Sequence, residues 1–352
     1  MKKILFSWLL GCSINLIVAQ PNIDEARKII QPLLKTYPGI SIAISNPSGI
    51  IWQEGFGYSN IKQGNPVNPE TKFRYYSLSK SITGIALAKL IEENKLSLEA
   101  SVRKYLPDLP DHYEPVTIAH LISHTGGVRH YKKNEWMKVS LSQCESAKMA
   151  LAPFINDPLQ SVPGTQSQYS SFGYVLLSAV IESVSQKPYG DYLKQILGQV
   201  PLSNEFDMDQ TEIAKTNQSG HYKTWNGKTG KDADLVNNSC KFGGGGLVGT
   251  ARSLAQIHQN LLGGFILNKE SMAVYYKSFN KANGESVNYA FGLGTGKTQD
   301  GLTYYSHSGS ALGANGIVLI YPEKKIVLVM LGNLNSDEMN SVGGKIARLF
   351  MN

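Results

Sequence analysis

Ser77 and Lys80 stand three residues apart in the run FRYYSLSKSITGIALAKLIEE (73–93), at the start of a segment with apolar positions at helical spacing. Residues i and i+3 share a helical face, so an amine at 80 can reach a hydroxyl at 77. Such a pair is a nucleophile with its base, provided that burial or neighbouring cations bring the lysine below its ordinary pKa of about 10.4. Leu78, Ile82 and Ile85 supply an apolar flank. The positive end of the helix dipole favours an alkoxide and any developing oxyanion. The competing reading is a helix-capping serine with Lys80 in water. Ser59/Lys62, Ser101/Lys104 and Ser278/Lys281 repeat the spacing, but none opens a long helix.

Two further groups supply what a nucleophile needs. In VPGTQSQYSSFGY, Tyr169 precedes Ser170 and Ser171 at the entrance of the apolar run FGYVLLSAVIESV. A tyrosine there can shuttle a proton between nucleophile and leaving group if a nearby lysine lowers its pKa; otherwise it packs at a helix start beside two capping serines. In TYYSHSG, His307 and Gly309 end a strand, with Ser310 following. Gly309 allows close approach of a substrate, and the Ser310 amide is a second oxyanion donor beside that of Ser77. A histidine in a half-buried strand is as readily structural.

Other matches carry less. Lys228-Thr229-Gly230 lies in the polar loop WNGKTGKDAD without a strand pattern. Gly292 to Thr298 looks like a phosphate loop, but Phe291 stands where its first glycine belongs and no helix follows. Glycines 243–246 fit a tight backbone crossing better than a phosphate cradle. His120, His124 and His130 have the spacing of metal ligands but lack the glutamate of a His-Glu-x-x-His hydrolase, and helix-end hydrogen bonding is the alternative. No metal and no cofactor is expected.

The elements that must position these residues are readable by period. A helix is predicted over 24–36, strands over 39–45 and 49–58 around the turn Asn46-Pro47-Ser48-Gly49, and a helix beginning in the Ser77 stretch. Short helices follow at Thr117 to Ser123, Phe172 to Ser185 and Thr250 to Leu262. Strands return as NYAFGLG, TYYSHSG, ANGIVLIY and KIVLVMLGN, and a helix from Asp337 to Phe350 closes the chain. The order implies an α+β fold, with one sheet drawn from about 21–75 and 285–352 and a mostly helical insert over about 76–284.

The 352 residues are 42% apolar and 17% charged, which favours a folded chain with an ample core. Lys2 and Lys3 precede the apolar run ILFSWLLGCSINLIVA, which reads as a signal peptide over 1–20 cleaved after Ala19 or Gln20, and hence as export to the periplasm or beyond. A rival reading makes Cys12 a lipid-attachment site and tethers the chain to a membrane, although the apolar run continues past it to Ala19. Losing Lys2 and Lys3 lowers the formal charge from +7 to +5. That excess is mild, with no basic run interleaved with aromatics, so nucleic acid is not an expected partner. Cys144 and Cys240 remain and allow one disulfide, whose formation sequence does not decide; nor does it decide the oligomeric state.

SLSK, then YSS, then HSG, in this order and on these elements, resembles the serine β-lactamase and penicillin-binding-protein superfamily, in its class C, esterase and D-peptidase branch. HLISHTGGVRHY and YSSFGYVLLSAVIE look most like the mitochondrial serine β-lactamase-like proteins and their bacterial relatives. The likeness spans most of 24–350. It implies a β-lactamase/transpeptidase-like antiparallel sheet flanked by helices, and a serine hydrolase domain over 21–352. The implied roles are nucleophile for Ser77, base for Lys80, proton transfer for Tyr169, and substrate and oxyanion contacts from Ser171, His307, Gly309 and Ser310. Two departures stand out. Ser171 replaces the asparagine usual in the second motif, and His307 replaces the lysine frequent in the third, removing a permanent charge for a substrate carboxylate. They shift the expectation from β-lactams toward a small-molecule or peptide amide or ester, with a β-lactamase, a D-peptidase or a weakly active binding protein on the same fold as alternatives.

Overall fold

A computed structural model describes residues 20–140, 142–209 and 217–351. The expected signal segment before residue 20, with Cys12, lies outside them. Seven antiparallel strands form the central sheet: β1 (Gly39–Asn46), β2 (Gly49–Asn60), β3 (Asn65–Pro66), β4 (Gly294–Lys297), β5 (Thr303–Ala311), β6 (Ala314–Tyr321) and β7 (Ile326–Gly332). Their spatial order is β3-β2-β1-β7-β6-β5-β4. The first and last thirds of the chain meet at the β1–β7 pair, where Ile40 lies opposite Gly332.

Period-2 alternation decides what each face buries. Ile40, Ile42 and Ile44 of β1, with Leu328 and Met330 of β7, pack against Ala26, Ile30 and Ile346 of the two terminal helices, Gln20–Ile30 and Glu338–Arg348. Ala43, Val327, Val329 and Leu331 face the other way, onto the Ala251–Leu262 helix and the helical half of the molecule. Both faces are covered, so β6 and β7 read as unbroken apolar runs.

The helical half is built around two buried helices, Ser79–Glu92 and Ser171–Ser185. The first is buried from Ser79 through Ala88, polar residues included. The single turn Phe242–Gly245 packs against both. Cys144 and Cys240 form a disulfide that fastens the 140s loop to the turn before Phe242. Among the described residues no helix is long and apolar enough to cross a membrane.

Three expectations need correction. The N-terminal helix runs Gln20–Ile30 and then tightens into a 3-10 turn, Gln31–Lys35, because Pro32 lacks the N–H that would continue the ladder. NYAFGLG is not a strand: Gly292 turns the chain at φ +78°, where a Cβ would strike the Lys80 carbonyl, and the strand begins only at Gly294. The Lys228-Thr229-Gly230 loop is flanked by a small hairpin, Tyr222–Trp225 with Gly230–Asp232, away from the main sheet.

Candidate active site

Ser77 sits not on the long helix but on the 3-10 turn Tyr76–Leu78 that feeds it. Its hydroxyl caps nothing, since the helix's N-cap is Leu78 and carries no side-chain cap. The turn is fixed from both ends. Tyr75 donates its hydroxyl to the Thr250 carbonyl at 2.7 Å, and the Leu78 N–H donates to the Tyr75 carbonyl at 3.0 Å. Tyr76, immediately before Ser77, has φ +44°, a conformation costing a non-glycine residue of order 1–3 kcal/mol.

Lys80 is 0% exposed. Its Nζ donates to the Gly244 carbonyl at 2.5 Å and lies 3.2 Å from Ser171 Oγ and 3.1 Å from Ser77 Oγ. The faces of Tyr169 and Tyr174 lie 4.9 and 5.6 Å away. Burial, and then the nearby charge of Lys241, hold the amine well below the ordinary lysine value. A neutral amine has two hydrogens and one lone pair. The hydrogens serve Gly244 and Ser171, which leaves the lone pair for the Ser77 hydroxyl proton. Ser171, shorter than the asparagine it replaces, still reaches this lysine.

Tyr169 donates its hydroxyl to Ser77 Oγ at 2.7 Å. The condition attached to it from sequence, a pKa lowered by lysine, is not met. Burial of its ring raises it to about 12, against a partial offset from the Ser77 hydrogen bond. Tyr169 therefore stands as a neutral donor, and the accepting role falls to Lys80. The residue is 41% exposed at its cleft edge. Histidines hold it elsewhere: His124 at a ring distance of 4.6 Å, His130 at 5.6 Å and His307 at 6.1 Å.

These histidines have assigned hydrogen-bonding work. His124 Nδ1 accepts the Ser170 N–H at 3.2 Å, and His130 Nδ1 accepts the Ser171 N–H at 3.1 Å. His120 Nδ1 accepts the Thr117 N–H in a capping box. Burial is the main cause that lowers His130 to about 4 and His307 to about 3. All are neutral at ordinary pH. Among the described residues no three His, Cys, Asp or Glu side chains gather as a metal set.

Strand β5 approaches from the other side. A Cβ on Gly309 would lie 2.0 Å from the Tyr75 carbonyl oxygen and 3.1 Å from the Ser77 nitrogen, so only glycine lets the strand run along the nucleophile turn. Ser310, the next residue, borders the same cleft as Ser77 and donates its hydroxyl to Asn335 Oδ1. His307 does not line that cleft. It is half-exposed, its Nε2 pairs with the Tyr289 hydroxyl at 3.0 Å, and its ring lies 6.1 Å from that of Tyr169.

The cleft encloses about 680 Å³ and is bordered by Ser77, Tyr169, Ser171 and Ser310. It also takes in Trp136 and Lys241, which the motifs did not single out. The only local hint of Lys241 is a lysine wedged between Cys240 and Phe242 ahead of the glycine run.

The sequence profile described as Beta-lactamase matches residues 26–349. The human serine beta-lactamase-like protein LACTB, mitochondrial, is 28% identical over 89% of this chain and 76% of its own length. Penicillin-binding protein 4* of Bacillus subtilis (strain 168) is 26% identical over 89% of this chain and 73% of its own. Among solved structures, the octameric penicillin-binding protein homologue from Pyrococcus abyssi superposes with a TM-score of 0.74 at 26% identity, covering 92% of this chain and 76% of that one.

Proposed function

The chain belongs to the beta-lactamase family of serine hydrolases, and from that premise we propose that it cleaves an amide or ester bond through an acyl-enzyme on Ser77, as an exported peptidase or esterase. The observation that carries this reading is the placement of the Ser77 hydroxyl between a buried Lys80 amine, which has no carboxylate partner among the described residues, and the donating phenol of Tyr169.

Neutral Lys80 takes the Ser77 proton as Oγ bonds to the substrate carbonyl carbon, and the C=O electron pair moves onto oxygen. The amides of Ser77 and Ser310, two residues that border the cleft, are assigned to hold that oxyanion. Collapse breaks the bond to the amine or alkoxide, which leaves with a proton passed from Lys80 through Tyr169. Water then attacks the Ser77 ester and gives its proton back by the same route. The C–Oγ bond breaks, and Ser77 recovers its hydrogen. No step calls for a cofactor.

The assembled contacts count against a mere scaffold. A β-lactam or a D-peptide is the alternative substrate, and its carbonyl would meet the same groups. Labelling with a fluorescent phosphonate and a labelled penicillin, followed by mass spectrometry, tests the reading. Adducts on Ser77 that vanish in Ser77→Ala support it. Unlabelled Ser77, with any hydrolysis surviving Ser77→Ala, overturns it. Export rests on Lys2, Lys3 and the apolar run after them, and is tested by fractionating cells and sequencing the mature N-terminus.

A further inference from the structure

We propose that Lys241 is the residue by which this cleft selects substrates carrying a carboxylate, an inference that rests on the acyl-enzyme reading above. Lys241 ends the 3-10 turn Ser239–Lys241, three residues before the carbonyl that holds Lys80. It is 5% exposed, yet it borders the cleft together with Ser77.

The Lys241 ammonium faces no described counterion. Among the described residues it has no hydrogen-bond or ion-pair partner, and what stands over it is aromatic: the Tyr76 ring at 5.2 Å and the Trp136 ring at 5.9 Å. Asp209, whose charge acts on it, is already engaged by Arg74 at 2.8 Å and by Asn238 at 2.5 Å. A buried charge is normally paired or quenched. Here burial lowers the amine to about 7, against a raising influence from Asp209 and with a further lowering one from Arg74. The aromatic faces provide a modest attraction and no acceptor. The open direction is the cleft.

The rest of that wall agrees in sign. Lys133 and Lys223 also border the cleft, and none of its described lining residues is acidic. Lys223 is partly committed to Asp234 at 3.2 Å and stands half-exposed, which leaves Lys241 as the desolvated cation. Charge-assisted hydrogen bonds strengthen with desolvation. A carboxylate entering the cleft supplies the acceptor that Lys241 lacks.

The test uses matched N-acetyl peptide p-nitroanilides with Glu or Gln at the first or second residue before the scissile bond, in D and L forms. In one arm, kcat/KM is measured for the wild type, Lys241→Met and Lys241→Arg. In the other, the same peptides are titrated calorimetrically into Ser77→Ala with and without Lys241→Met. The readout is the Glu-to-Gln ratio within each protein, so any effect of Lys241 on Lys80 cancels. A preference for Glu of about ten- to a hundred-fold is expected for one of the paired sets. It should fall to near unity in Lys241→Met and persist in Lys241→Arg. Equal handling of Glu and Gln by the wild type, or a preference that survives Lys241→Met, overturns the proposal. Loss of the hydrolase reading shows separately, as unlabelled Ser77 with no turnover, and the binding arm still decides the role of Lys241.

Discussion

Tyr169 reaches across a sequence separation of 92 residues to donate to Ser77 Oγ at 2.7 Å, and burial keeps its phenol protonated. Ser77 thus has one fixed donor, Tyr169, and one amine able to accept its proton, Lys80. The direction of the first proton transfer follows from that asymmetry.

Tyr169→Phe should lower kcat/KM on an aryl ester by about 10²–10⁴-fold, the usual worth of a positioned proton-transfer group. Phosphonate labelling of Ser77 should continue, more slowly, because Lys80 still accepts the proton. Lys80→Met should abolish both. Wild-type labelling in Lys80→Met would assign the base elsewhere.

Protonated Lys80 cannot take the serine proton, so the labelling rate should fall as pH drops through its pKa, which lies well below the ordinary lysine value. Lys241 contributes to that depression as a like charge, while the neighbouring His124, His130 and His307 are neutral. Removing it in Lys241→Met stabilises the ammonium of Lys80 and should move the acid limb to higher pH. An unmoved limb in a pH-rate profile would disconnect the two lysines.

His258 is fully buried, with its Nε2 3.0 Å from Ser81 Oγ, and burial lowers it to about 3. Its unfolded value is near 6.5. Between those values the unfolded chain binds more protons, so this residue makes stability rise with pH; the contribution is complete above about 6.5 and lost toward pH 3. Several carboxylates, such as Glu135, have lowered values and act with the same sign. The contrast with His258→Gln therefore isolates the histidine: the variant should lose less Tm between pH 7 and pH 5 than the wild type. Parallel losses would refute the assignment.

Gly309→Ala adds a methyl where the Tyr75 carbonyl already lies 2.0 Å away. Overpacking of this kind costs about 1–3 kcal/mol. The strand must back off the Tyr76–Leu78 turn, so kcat/KM should fall at least about tenfold, since a misplacement of about 1 Å can cost about 10²-fold in rate. Thermal melts and kinetics on the same preparation check this, and unchanged kinetics would mean the approach is looser than described.

Local pattern singled out Ser77, Lys80 and Tyr169 as candidates, because each opens or precedes a helix with a strong apolar period, and the fold sets the Lys80 amine 3.1 Å and the Tyr169 hydroxyl 2.7 Å from Ser77 Oγ. It also carried the terminal strands, whose apolar runs follow from burial on both faces. It failed at Lys241, whose role depends on the company of Tyr76, Trp136 and Arg74, far away in the chain. His307 is harder to read, since a histidine at a strand end looks the same whether it meets substrate or stands beside a tyrosine. NYAFGLG deceived because its composition suits a strand while Gly292 reverses the chain to clear the Lys80 backbone.

The pairing of Ile40 with Gly332 has a consequence for biogenesis. The sheet that presents Ser310 to Ser77 closes only when residues near both ends of the chain meet, and such distant pairings form late because a long loop must close first. A ribosome-bound chain ending before β5 carries Ser77, Lys80 and Tyr169 but lacks the strand that runs along the Tyr76–Leu78 turn. The cleft that Ser77 and Ser310 share is thus incomplete until synthesis is nearly finished.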